Sequence, residues 1–149
     1  MLRLSKLTDY AVVVLVRLSR ESELQTSPAL AAATGVPEPT VAKVLKVLGA
    51  AGLVESRRGA RGGYRLGRPL AAIPVSDVIA AIDGPIALAA CVDGADECGS
   101  GHICPMRGRW DRVNQALHRA LSGITLADMQ DEGMLFLPPP APRPRHAAE

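Results

Sequence analysis

Residues 26–66 constrain this chain more tightly than any other part of it. Ser27-Pro28 supplies a helix N-cap followed by a proline in the first turn, where backbone amides have no intrahelical partner and none is lost. A short helix over residues 29–34 follows, and Gly35 offers the left-handed residue that stops it. Pro37-Glu38-Pro39 can then open a second helix reaching residue 48, ahead of Gly49 and Gly52. In that helix Val41, Val44, Leu45 and Leu48 recur at i, i+3, i+4 and i+7, so they share the core face and leave Pro39, Thr40, Lys43 and Lys46 outward. Two short helices about a glycine turn make a helix-turn-helix. Residues 53–56 and 64–66 are short strand-like runs joined by Arg57-Arg58-Gly59-Ala60-Arg61-Gly62-Gly63, whose glycines permit a tight, basic hairpin tip. A hairpin directly after a helix-turn-helix predicts a mainly α winged-helix fold with a small β-hairpin wing.

The flanking segments extend this plan. Thr8 can cap a helix over residues 8–20, with Asp9 complementing its dipole, and the near-continuous apolar stretch after it predicts a helix buried all round. A further helix is expected over residues 75–82, ended by Asp83-Gly84-Pro85. A glycine-rich loop bearing the cysteines comes next. A long helix is expected over residues 105–122, where Met106, Trp110, Val113, Leu117 and Leu121 alternate steps of four and three to form a seam longer than a small domain needs. Gly123 ends it, and Thr125-Leu126-Ala127-Asp128 resembles a capping box for a short last helix. The chain therefore divides into a winged helix-turn-helix (1–70), a helix and cysteine-bearing loop (71–104), the long helix with the last helix (105–130), and a proline-rich tail not expected to pack (131–149). With aromatics at only 3% of the chain, Ala, Val and Leu must do the packing, which suits closely approaching helices.

At 149 residues the chain is too short for two ordinary catalytic domains, and it shows no nucleophile-base pair, phosphate loop or carboxylate dyad. No catalytic residue and no small-molecule substrate are expected. No apolar run reaches the length of a bilayer-spanning helix, and Met1-Leu2-Arg3-Leu4-Ser5-Lys6 is not followed by a small-residue cleavage site, so a soluble, cytoplasmic protein without a membrane partner is expected. The net charge of +2 is unevenly spread: Arg57, Arg58, Arg61, Arg65 and Arg68 crowd one stretch, whereas residues 83–97 carry acids and no base. A recognition helix reads base edges in the major groove with side chains near its N-terminus, and Thr40 and Lys43 stand there. Arg57, Arg58 and Arg61 occupy the place from which a wing neutralises phosphates or enters the minor groove. With Ser27, Pro39 and Lys46 they form the candidate contacts to double-stranded DNA. A solvated helix face and a partnerless basic loop are the plain alternatives.

Cys91, Cys98 and Cys104, separated by six and five residues, lie on a loop whose Gly94, Gly99 and Gly101 let it fold about a central ion. Thiolates are soft ligands for iron-sulfur clusters, zinc or copper(I), and the spacing alone leaves a cluster, zinc and free thiols open. An odd cysteine count in a reducing compartment argues against a pure disulfide framework. Asp9, His102 and His118 are the nearest candidates for a fourth ligand.

The opening Leu2-Arg3-Leu4-Ser5-Lys6-Leu7-Thr8-Asp9-Tyr10-Ala11, the wing from Gly52-Leu53-Val54 through Arg58-Gly59 to Gly62-Gly63-Tyr64-Arg65-Leu66, and the three-cysteine loop together resemble the Rrf2 family of bacterial transcription regulators over about residues 1–130. The opening most resembles members that regulate the SUF iron-sulfur assembly system. The resemblance implies a homodimer joined through the long helix, binding operator DNA and holding an iron-sulfur cluster as sensor. It further implies a repressor of iron-sulfur assembly genes. The rivals are a winged-helix DNA-binding protein with zinc or free thiols and a small iron-sulfur electron-transfer protein. One departure stands out: IscR-like members complete a 2Fe-2S site with a histidine three residues after the third cysteine, where this chain has Arg107. NsrR-type members instead bring an aspartate from the partner's first helix to a 4Fe-4S cluster, and Asp9 matches that position. The resemblance therefore ranks Asp9 ahead of His102 as the fourth ligand.

Overall fold

The computed structural model describes residues 3–92 and 103–130. Six α-helices and one hairpin are described: α1 (Lys6–Leu18), α2 (Ser27–Thr34), α3 (Glu38–Ala50), β1 (Val54–Arg57), β2 (Gly63–Leu66), α4 (Val75–Asp83), α5 (Trp110–Ser122) and α6 (Leu126–Gln130), with a short 3-10 turn at Leu70–Ala72. Cys98, His102 and the proline-rich tail lie outside the described residues.

The core is built by the face that the periodicity of α3 singles out. Val41, Val44, Leu45 and Leu48 are all buried, against Ala11, Val14, Leu15 and Leu18 of α1, Leu30 of α2 and Val78 and Ile79 of α4. Each such leucine contributes about 1.5–3 kcal/mol by leaving water. β1 and β2 pair antiparallel with Val54 opposite Leu66 and Arg57 opposite Gly63. A single bridge adds Gln25 to the free side of β2, its amide donating to Tyr64 O at 3.0 Å and its carbonyl accepting from Tyr64 N at 2.8 Å. The wing is thereby tied to the chain entering α2.

Three helix starts differ from the sequence expectation. α1 begins at Lys6, because Ser5 takes the N-cap role and its Oγ accepts from Thr8 N at 3.1 Å. Thr8 thus lies inside the helix, where its buried hydroxyl donates to Asp83 Oδ2 at 2.7 Å, a partner invisible to local reasoning. Nor is α1 buried all round: Val13 is 38% exposed, and the sealed stripe runs through Thr8, Ala11, Val14, Leu15 and Leu18. Thr26, not Ser27, caps α2, its Oγ1 accepting from Ala29 N at 3.3 Å. α5 starts at Trp110 rather than residue 105, since Gly108 adopts φ of +72° and breaks the right-handed path. At the other end of α3, Gly49 is carried inside the helix, which closes only before Gly52 at φ of +72°.

The last helix returns to the first domain. Thr125 and Asp128 form the expected capping box, with Thr125 N donating to Asp128 Oδ2 at 2.8 Å and Asp128 N donating to Thr125 Oγ1 at 3.2 Å. Two backbone bonds then stitch this corner to the start of α4: Val75 N to Ile124 O at 2.8 Å and Leu126 N to Ile73 O at 2.9 Å. Leu126 is fully buried in the winged-helix core. Among the described residues, no helix is long and apolar enough to cross a membrane.

Candidate nucleic-acid interface and cysteine loop

α3 and the wing share one groove. Its volume is about 650 Å³, and Lys46, Ala42 and Gly49 of α3 face Ser56, Arg57 and Arg58 of the wing across it. Pro39 and Lys43 are exposed on the same helix and Thr40 is half-buried. Thr40 N and Val41 N bond Pro37 O at 2.9 and 3.0 Å, so the first turn is closed by backbone and the outward side chains stay available. Ser27 stands apart from this group; its Oγ is buried and finds no hydrogen-bond partner among the described residues.

The basic stretch divides in two. Arg65 pairs with Glu55 across the hairpin at 2.7 Å, and Arg68 pairs with Asp77 of α4 at 2.9 Å. Arg57, Arg58 and Arg61 make no ion pair among the described residues and are exposed. The tip that carries them is held by glycine: a Cβ on Gly62 would lie 2.3 Å from Arg57 O, and Gly62 N donates to Gly59 O at 2.9 Å. No side chain larger than hydrogen fits that turn. The arrangement presents unneutralised cations beside an outward helix face, which is the chemistry of a phosphate-tracking, base-reading surface.

The cysteine loop leaves α4 at Asp83 and joins α5 at Trp110. Cys91 and Cys104 are free thiols and half-buried. Asp9 is exposed in the first turn of α1, on a groove of about 450 Å³ that it lines with Leu4, Val12, Val78 and Met129. Among the described residues, no three His, Cys, Asp or Glu side chains converge as a metal cage, so one chain does not gather Asp9 with Cys91 and Cys104. His118 lies on α5 with its Nδ1 3.2 Å from Ser122 Oγ. Asp83 reaches back to α1, accepting from Ser5 N at 3.3 Å as well as from Thr8. Partial burial pushes its carboxyl up, but the Ser5 and Thr8 hydrogen bonds outweigh this and hold it below the ordinary aspartate value.

The seam expected on α5 splits into two surfaces. Leu117 and Leu121 are half-buried and line an apolar groove with Ile79, Ile86 and Leu88 of the same chain. Met106, Trp110 and Val113 remain 47%, 42% and 49% exposed. Sequence periodicity places all five on one stripe and cannot tell which partner each meets. It also gives no sign of Asn114, whose side chain bonds the backbone at Ile86 and Leu88, or of the Gln25 bridge, since both join positions far apart in sequence.

Residues 4–132 match the profile of Rrf2, a family described as iron-dependent transcriptional regulators. The chain belongs to the Rrf2 family. Protein aau3 of Rhizobium meliloti is 35% identical over 130 residues, covering 86% of this chain and 84% of that protein. The structure resembles CymR, the global cysteine regulator of B. subtilis, with a TM-score of 0.67 and 28% identity, covering 87% of this chain and 96% of that one. It also resembles T. potens IscR, with a TM-score of 0.63 and 29% identity, covering 87% of this chain and 86% of that one. This Rrf2 protein is a DNA-binding transcription regulator with a winged helix-turn-helix, and not an enzyme.

Proposed function

We propose that this Rrf2 protein is a cytoplasmic, homodimeric repressor of iron-sulfur assembly (SUF) genes that senses an iron-sulfur cluster through its cysteine loop. The observation that carries the proposal is that both described cysteines are free thiols, half-buried, in the segment that leads from α4 into α5, the helix whose outer face exposes Trp110 and Val113. Soft thiols of that kind fit an iron-sulfur cluster. Cys91, Cys98 and Cys104 would hold it, with Asp9 from the second subunit as the non-cysteine ligand. When bound, a cluster supplies iron whose gain and loss reports on cluster supply. The chain does the rest: the loop orders against α5, α5 sets the angle between two copies, and the two α3 helices meet operator half-sites one turn of DNA, about 34 Å, or a multiple apart.

The test is the protein purified without oxygen, assayed for iron, sulfide, visible absorption and Mössbauer signals. A cluster chromophore is expected, lost in each of Cys91→Ala, Cys98→Ala and Cys104→Ala with helical content retained, because the winged helix has its own core. Asp9→Ala is expected to shorten cluster lifetime in air. Iron and sulfide retained in all three cysteine variants would overturn the assignment, and their absence from the unaltered protein would leave zinc or free thiols as the chemistry of the loop.

A further inference from the structure

Both ends of the cysteine loop are grounded on one helix, by different means. Cys104 reaches α5 through the chain, Arg107 N turning back to Cys104 O at 3.2 Å a few residues before Trp110. Cys91 reaches it through Asn114. The Asn114 Oδ1 accepts from Leu88 N at 3.0 Å, and its Nδ2 donates to Ile86 O at 2.9 Å. A carbonyl and an amide flanking a single residue, here Ala87, are the pair that a neighbouring β-strand would engage, and one carboxamide replaces that strand. A side chain that carries a donor atom and an acceptor atom side by side in one plane can do so: aspartate lacks the donor, serine has donor and acceptor on a single oxygen that cannot span both groups, and leucine has neither.

The polar clamp has an apolar backing. Asn114 lies one turn from Trp110 and from Leu117, and Leu117 and Leu121 lie along Ile86 and Leu88. The chain then turns at once, with Val92 N donating to Ala89 O at 3.0 Å, so Cys91 sits in a turn that begins directly beyond the clamped segment.

Resting on the cluster reading above, we propose that Asn114 is the positioning residue of the cysteine loop, its carboxamide fixing the Cys91 thiol against α5. Partners outside the ligand set orient ligands, and their loss weakens metal retention without removing a ligand.

The test uses the full chain in both metal-free and reconstituted forms. In the metal-free protein, Asn114→Leu, which is near-isosteric and a good helix former, is expected to speed hydrogen exchange at the Leu88 amide at least about tenfold. It should change the iodoacetamide alkylation rate of Cys91 at least threefold while that of Cys104 stays within a factor of two. Asn114→Asp, keeping the acceptor and losing the donor, is expected to fall between, and it carries the test if Asn114→Leu does not fold. Gln115→Ala, on the exposed side of α5, is expected to match the unaltered protein in every readout. After anaerobic reconstitution with ferrous iron and sulfide, Asn114→Leu is expected to lose its visible absorption in air several-fold faster. Unchanged exchange at Leu88 overturns the clamp; faster exchange with unaltered Cys91 alkylation reduces Asn114 to a structural residue and overturns the proposal. A protein that never retains a cluster defeats the cluster reading alone, because exchange and alkylation still decide the role of Asn114.

Discussion

Arg57, Arg58 and Arg61 differ from Arg65 and Arg68 in one respect that decides their use: the latter two are neutralised by Glu55 and Asp77, and the former three pair with no acid among the described residues. Arg58→Ala is therefore expected to weaken binding to operator and random duplex by similar factors and to flatten the salt dependence. Thr40→Ala or Lys43→Ala should instead cost about 1–3 kcal/mol on the operator and little on random DNA, because base-edge contacts discriminate and phosphate contacts do not. Fluorescence anisotropy on both duplexes at several salt concentrations separates the two, and equal losses for the helix variants would remove α3 as the reading helix. A second prediction concerns Asp83. Its folded carboxyl titrates below the ordinary value, so the ionised form is stabilised by folding; that contribution is complete above the unfolded pKa of about 3.9 and is lost as pH falls through the folded one. Asp83→Asn should lower the urea midpoint at pH 7, and the gap between variant and unaltered protein should narrow progressively as pH falls below the ordinary aspartate value. A constant gap between the two would show that Asp83 acts without its charge.

At the scale of elements, the wing depends on its turn. Gly62→Ala places a methyl against a backbone carbonyl that cannot swing away, so β1 and β2 must part at the tip. The expected result is an unchanged far-UV spectrum with non-specific DNA binding weakened as strongly as specific binding; full retention of both would mean that the tip does not touch DNA. Elements set by local chemistry are legible in the sequence: the buried face of α3, the Gly35 stop at φ of +73°, the wing and the Thr125 capping box all follow from spacing and turn residues. What local chemistry does not encode is choice among equals. Ser5 and Thr8 are both sound N-caps, and Asp83, 75 residues away, settles the matter by accepting the Thr8 hydroxyl. Likewise Thr26 and Ser27 are adjacent caps, and only the three-dimensional path of the chain selects Thr26. The candidate site was legible to the same extent: the outward residues of α3 and the wing arginines could be named, whereas the pairing that separates Arg65 and Arg68 from them needs the fold.

At the scale of the molecule, α5 faces two ways. Leu117 and Leu121 are half-buried against Ile79 and Ile86 of their own chain, so a charge placed there would disturb the protomer as well as any partner. Val113, 49% exposed, is the cleaner probe: Val113→Asp is expected to yield monomers in sedimentation, with an unaltered melting profile for the isolated protomer and reduced operator affinity, since an unpaired charge cannot be buried between copies. A monomeric unaltered protein would refute the two-subunit reading outright. The return of the chain through Leu126 has a mechanical consequence. The loop and α5 do not hang from the DNA-reading body by one strand of polypeptide; they are pinned at Asp83 on one side and at Ile124 on the other. A lever held by a single thread can swing in any direction and delivers no torque, but one held at two points is left with a single axis, the line between its pins. Rotation about that line is itself opposed where Ser122 Oγ donates to Ser76 Oγ of α4 at 3.0 Å, so a force that tilts α5 is handed on to the winged helix as a torque.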